Sequence, residues 1–165
     1  MRGLAARALG WSVRLMALAC VPGGAFWALT PVGIQLADQR LPAGSERFWQ
    51  LFSAAPLLLL LGLAGLWWLG CLGSGLPARA GLATAGIGLA MIVLGNVGQF
   101  WLGLDDLFTV AAPAFRVFRL GLVLVALGAI VLGTVAALRR ALPIWSAAPF
   151  VLGALCGLFR GFQCS

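Results

Sequence analysis

A chain of 165 residues would suit one soluble domain, but 62% hydrophobic and 9% charged positions, with a mean hydropathy of +1.07, exclude one, since soluble domains carry roughly a quarter charged residues. The net charge of +7 comes entirely from arginine against Asp38, Glu46, Asp105 and Asp106. These arginines stand singly or in pairs at the ends of apolar runs, so the anionic partner they indicate is the phospholipid head group of a lipid bilayer, not nucleic acid.

Apolar stretches near the ~20 residues that cross a ~30 Å hydrocarbon core recur along the chain. They predict an all-α, polytopic transmembrane bundle of about five spans (four to five), folded as one domain. Cys20, Cys71, Cys156 and Cys164 are scattered, with no Cys-x-x-Cys pair and no histidine. That spread argues against a disulfide framework or a zinc site; Cys20, Cys71 and Cys156 read as small buried hydrophobes and Cys164 as open to exposure, with no metal or cofactor expected.

The amino-terminal lead carries Arg2, Arg7 and Arg14 and runs into the first apolar stretch, 15–36. A cleaved secretory signal has a shorter apolar region and a small-residue cleavage site. Here the stretch continues through Pro22, Gly23, Gly24 and Pro31, so it reads as a retained first span, kinked where proline removes a backbone bond. Ala17-Leu18-Ala19-Cys20 lacks the leucine of a lipoprotein cleavage box.

A polar connection follows, with Pro42 and Gly44 as turn residues, Ser45 placed to cap a helix and Glu46 in its first turn. Pro56 divides the next segment into an interfacial or kinked start and a span over 55–72. A turn with Pro77 and Arg79 leads to a third span, 82–104, which ends at Asp105-Asp106. The fourth is expected over 115–138, with Arg116 and Arg119 in its first turns and Arg139-Arg140 behind it. Pro143 then opens a short fifth segment, 144–159. No internal repeat of the kind many transporters carry is visible.

With the amino terminus in the cytoplasm of a cell with a plasma membrane, the inner segments hold Arg2, Arg7, Arg14, Arg79, Arg139 and Arg140. The outer segments hold Arg40, Arg47, Arg116, Arg119, Arg160 and every acid. Trp11, Trp49, Trp67, Trp68, Trp101 and Trp145 fall near span ends, the head-group layer that tryptophan favours. Trp27 alone falls mid-span.

Small residues recur at four-residue spacing, as Ala129, Gly133 and Ala137 on the fourth span and Gly153, Gly157 and Gly161 on the fifth. Such ladders let helix backbones approach. They mark packing within the chain, or a face for a membrane-protein partner or a second copy. Asn96 and Gln99 lie three residues apart on one face of the third span, shared with Ala85, Gly88, Ile92 and Gly95. They are candidates for a polar intramembrane contact, set against a plain interhelical hydrogen bond. Asp105, Asp106, Arg116 and Arg119 form a candidate charged cluster at the outer mouth, set against opposite charges closing a helical hairpin.

Gly95-Asn96-x-x-Gln99-Phe100-Trp101, together with Arg139-Arg140-x-x-Pro143-x-Trp145, resembles small uncharacterised bacterial multi-pass membrane proteins. The resemblance covers the third span and the junction of the last two, and implies a helical membrane architecture without implying an activity. Arginine-only basic usage among abundant Ala, Gly and Leu is in keeping with a bacterial source. No catalytic residue is assigned, because neither a nucleophile motif nor a phosphate-binding loop stands in the sequence. The expected function is a non-enzymatic structural, accessory or partner-binding membrane component. The alternatives are a small oligomeric transporter or channel with its path at Asn96 and Gln99, and a membrane enzyme using Asp105 and Asp106.

Overall fold

Proline and glycine decide where these apolar stretches break, and the computed structural model describes residues 10–16, 18–40, 44–69, 75–104 and 113–138. Helix α1 (10–16) leads into α2 (Cys20–Arg40) through a turn at Ala19. That turn lies three residues before Pro22, whose ring crowds the preceding helical turn and whose nitrogen has no hydrogen to donate. Helix α3 (Gly44–Phe52) is short and amphipathic, and α4 (Ala54–Trp68) continues from it after a break at Ser53. Pro56 again stands three residues beyond the break. Ser53 keeps a helical conformation, with φ −56° and ψ −23°, so the chain bends there without reversing.

Helix α5 (Leu76–Phe100) starts and ends before the expected 82–104. Its start is earlier because Pro77 opens the helix: in the first turn the missing N–H has no intrahelical partner to lose, and the fixed φ suits a helix. Gly75 caps it, and its carbonyl accepts from the Arg79 N–H at 3.1 Å. The helix stops at Phe100 because Gly103 takes φ +59°, which lets the chain fold back until the Leu104 N–H reaches the Gly98 carbonyl at 3.0 Å. Helix α6 (Pro113–Leu138) likewise opens on a proline.

Four segments are long and apolar enough to cross a membrane: Gly10–Thr30, Arg47–Trp68, Leu76–Phe100 and Pro113–Leu138. The protein is thus an all-helical bundle, with no strand among the described residues. The expected fifth span, 144–159, and the ladder of Gly153, Gly157 and Gly161 lie outside the described residues.

The most intimate pairing is α5 against α6. A Cβ added to Gly88 would stand 2.6 Å from the Val125 nitrogen, and one on Gly121 would stand 2.7 Å from the Gly88 oxygen. Gly95 meets the Phe118 nitrogen at 2.7 Å in the same sense, and Gly128 meets the Gly81 oxygen at 2.7 Å. The contacts pair the start of α5 with the end of α6, so the two helices are antiparallel. On α5 the facing residues are Gly81, Ala85, Gly88, Ile92 and Gly95, and on α6 Ala114, Phe118, Gly121, Val125, Gly128 and Leu132. Both series alternate steps of four and three, the spacing of a left-handed crossing near ~20°. The ladder of Ala129, Gly133 and Ala137 is not this seam, although Gly133 is buried.

Helix α2 packs antiparallel on α4. Gly23 faces Leu58 and the Ala55 carbonyl, and Gly62 leaves room for Cys20. Replacing Gly88 by alanine should cost about 1–3 kcal/mol of stability in detergent, because a methyl group must displace facing backbone. Gly86→Ala on the same helix, where nothing lies within 4 Å of the new Cβ, should be neutral or up to about 1 kcal/mol more stable. Thermal or denaturant unfolding of the two variants checks the contrast; equal effects would contradict the seam.

Candidate functional site

Five aromatic rings close the bundle where α3 meets the end of α5. Trp49 stacks on Phe100 with centroids 5.2 Å apart and planes within 2°. It also meets Phe52 and Phe118 edge-on at 5.9 and 6.4 Å. Phe52 touches Phe118 at 6.3 Å and Trp27 of α2 at 5.0 Å. Trp27, the one tryptophan placed mid-span by its sequence position, is therefore a packing ring shared between helices. Edge-on and offset contacts of this kind contribute roughly 0.5–1.5 kcal/mol each beyond their burial.

Gln50 ties the same place together with polar bonds. Its side-chain Nε2 donates to the Phe100 carbonyl at 2.9 Å, one of the carbonyls that a helix end leaves without an intrahelical donor. Its own carbonyl accepts from the Trp101 indole at 3.3 Å and from the Ser53 hydroxyl. Sequence reasoning did not single out Gln50. Its partners on Phe100 and Trp101 lie 50 and 51 residues away, and nothing in the α3 segment signals them.

Asn96 lies one turn below Phe100 and one turn above Ile92 on α5. It is 0% exposed, and neither Nδ2 nor Oδ1 has a hydrogen-bond partner. Gln99 is also buried, at 8% exposure. The fold thus carries both amides into the bundle, three residues apart and below the aromatic layer. A buried amide without partners forfeits roughly 1–3 kcal/mol relative to one that is satisfied.

Of the candidate outer cluster, Arg116 is exposed and Arg119 half-buried, its guanidinium carbon 5.9 Å from the Phe115 ring centre. Asp105 and Asp106 lie outside the described residues. Among the described residues no group of three or more His, Cys, Asp or Glu side chains could hold a metal ion. The exposed Trp11, Trp68 and Trp101 lie at or near helix ends, where indoles sit in the head-group layer.

Comparison with models of known protein families, with curated proteins and with solved structures finds no match. The arrangement of side chains itself is what bears on function. Asn96→Leu, which keeps the volume and removes the unpaired amide, should raise stability by about 1–2 kcal/mol, whereas Gln50→Leu should lower it by about 1 kcal/mol through the uncapped Phe100 carbonyl. Unfolding of the two variants in detergent checks both signs, and a destabilising Asn96→Leu would mean that the amide has a partner in the folded protein.

Proposed function

We propose that this chain is a non-enzymatic structural or accessory component of a bacterial plasma membrane that holds a partner protein or a second copy of itself. Its amino terminus is cytoplasmic in this reading, on the side richest in unopposed arginine. The observation that carries it is what fills the interior. Glycine-backed contact between α5 and α6 and five rings drawn from four helices form an arrangement that fixes helices in place. The outer faces present Leu57 and Leu61 on α4, Ile87 and Leu94 on α5, and Leu120, Val123 and Leu127 on α6. Such faces suit lipid or another apolar helix. The glycine ladder at Gly153, Gly157 and Gly161 supplies a further helix-packing sequence.

A second reading has one observation in its favour, the unpartnered amide of Asn96. A small oligomeric transporter or channel would use Asn96 and Gln99 to meet a polar substrate that supplies the missing hydrogen bonds.

Affinity purification from native membranes in mild detergent, with mass measurement of the complex, separates the two. The accessory reading expects a second protein, or a second copy, at fixed stoichiometry. A chain that purifies with no other protein, as an oligomer of itself, and carries solute flux in proteoliposomes, lost in Asn96→Leu, would overturn it in favour of transport.

A further inference from the structure

At the opposite end of the bundle from the aromatic layer, an open groove of about 500 Å³ runs between α4 and α5, within the ~300–1,000 Å³ typical of ligand sites. Its walls are apolar: Leu60, Leu63 and Ala64 from α4, and Leu82, Ala83 and Gly86 from α5. Gly86 leaves the floor open, with nothing within 4 Å of where a Cβ would be. Trp67 and Arg79 close one end, the guanidinium carbon 6.0 Å from the indole centre. Arg79 is exposed on the first turn of α5, and Trp67 belongs to the last turn of α4. This end of the groove is therefore at head-group level. Seven residues separate Arg79 from Gly86, so the groove reaches ~10 Å toward the membrane centre, inside one leaflet of a ~30 Å hydrocarbon core.

Charge distinguishes this end of the molecule. Arg14 and Arg79 are exposed there, and Arg139-Arg140 directly follow Leu138 in the sequence. Asp38 is on the last turns of α2 and Glu46 on the first turn of α3, both at the other end. An apolar groove open to lipid, with the exposed Arg79 at its mouth, suits a lipid whose head group is anionic.

We propose that the groove holds one acyl chain of an anionic phospholipid, with the Arg79 guanidinium on the lipid phosphate and Trp67 packed against the guanidinium. The hydrocarbon walls take the chain, and the arginine end selects the charge. This site is independent of whether the protein serves a partner or a transported solute.

Native mass spectrometry of the full chain in detergent, titrated with phosphatidylglycerol and with phosphatidylcholine, tests it. The wild type should retain one phosphatidylglycerol in preference to phosphatidylcholine. Arg79→Gln, at an exposed position, should cut that preference about fivefold, the weight of one arginine at an anionic surface. Gly86→Leu, which fills the floor, should weaken binding of both lipids. Unchanged phosphatidylglycerol retention in both variants would overturn the proposal. Displacement of the lipid by inorganic phosphate alone would reduce the site to an anion site and overturn the acyl-chain assignment. A copurifying protein lost only in Gly86→Leu, with lipid counts unchanged, would assign the groove to a protein partner instead.

Discussion

The close approach of α5 and α6 is the constraint on which the rest of the bundle depends. In a bilayer, lipid tails solvate leucine as well as another helix does, so helices associate through packing contact and interhelical polar bonds rather than through expulsion of water. Contact of that kind falls away within an ångström of separation. Glycine at 88, 95, 121 and 128 removes the Cβ atoms that would otherwise hold the two backbones apart. The alternating steps of four and three keep those glycines on one seam for several turns. Helices α3 and α4 pack on α5 directly, and α2 packs on both of them.

The aromatic layer carries that position outward. Phe118 of α6 and Phe100 of α5 both meet Trp49, and Phe52 passes the contact on to Trp27 of α2. Gln50 adds directional bonds at a helix end, where an unsatisfied carbonyl in apolar surroundings is costly. Asn96 stands out against this economy of polar groups. Its amide is enclosed one turn below the ring layer without a partner, whereas another buried polar side chain, Thr30 of α2, donates to its own helix at the Phe26 carbonyl at 2.7 Å. Among the described residues, a polar group held in that condition is an interior feature that packing does not account for.

Much of the architecture was legible in the residues because membrane spans follow from length and hydropathy alone. Pro56 also located the break near Ser53, since the lost donor and the ring clash act on the chain locally, whereas of the two prolines expected to kink the first span only Pro22 lies near a turn and α2 runs through Pro31. The start of α5 was misjudged because Pro77 and Arg79 read as a turn, when proline in a first turn favours a helix. The face holding Ala85, Gly88, Ile92 and Gly95 was visible on α5, but its mate was not. Gly121 and Gly128 stand seven residues apart, outside the four-residue ladder of Ala129, Gly133 and Ala137. The bonds of Gln50 to the end of α5 and the contacts of Trp49 and Phe52 with Phe100 and Phe118 join residues 50 or more apart, which no local pattern encodes. Burial of Asn96 and Gln99 could be inferred from their helix face, whereas the absence of a partner for Asn96 required the packed structure.

Magic-angle-spinning NMR of the protein in lipid bilayers, with ¹³C-labelled glycine and ¹⁵N-labelled valine, tests the seam most directly. The account predicts a dipolar contact between the Gly88 α carbon and the Val125 nitrogen, within about 5 Å given a Cα–Cβ bond near 1.5 Å. Its cross-peak would be assigned by its disappearance in Gly88→Ala. A folded, helical sample with no such contact would contradict the account, because α5 and α6 would then be held apart by something other than their glycines.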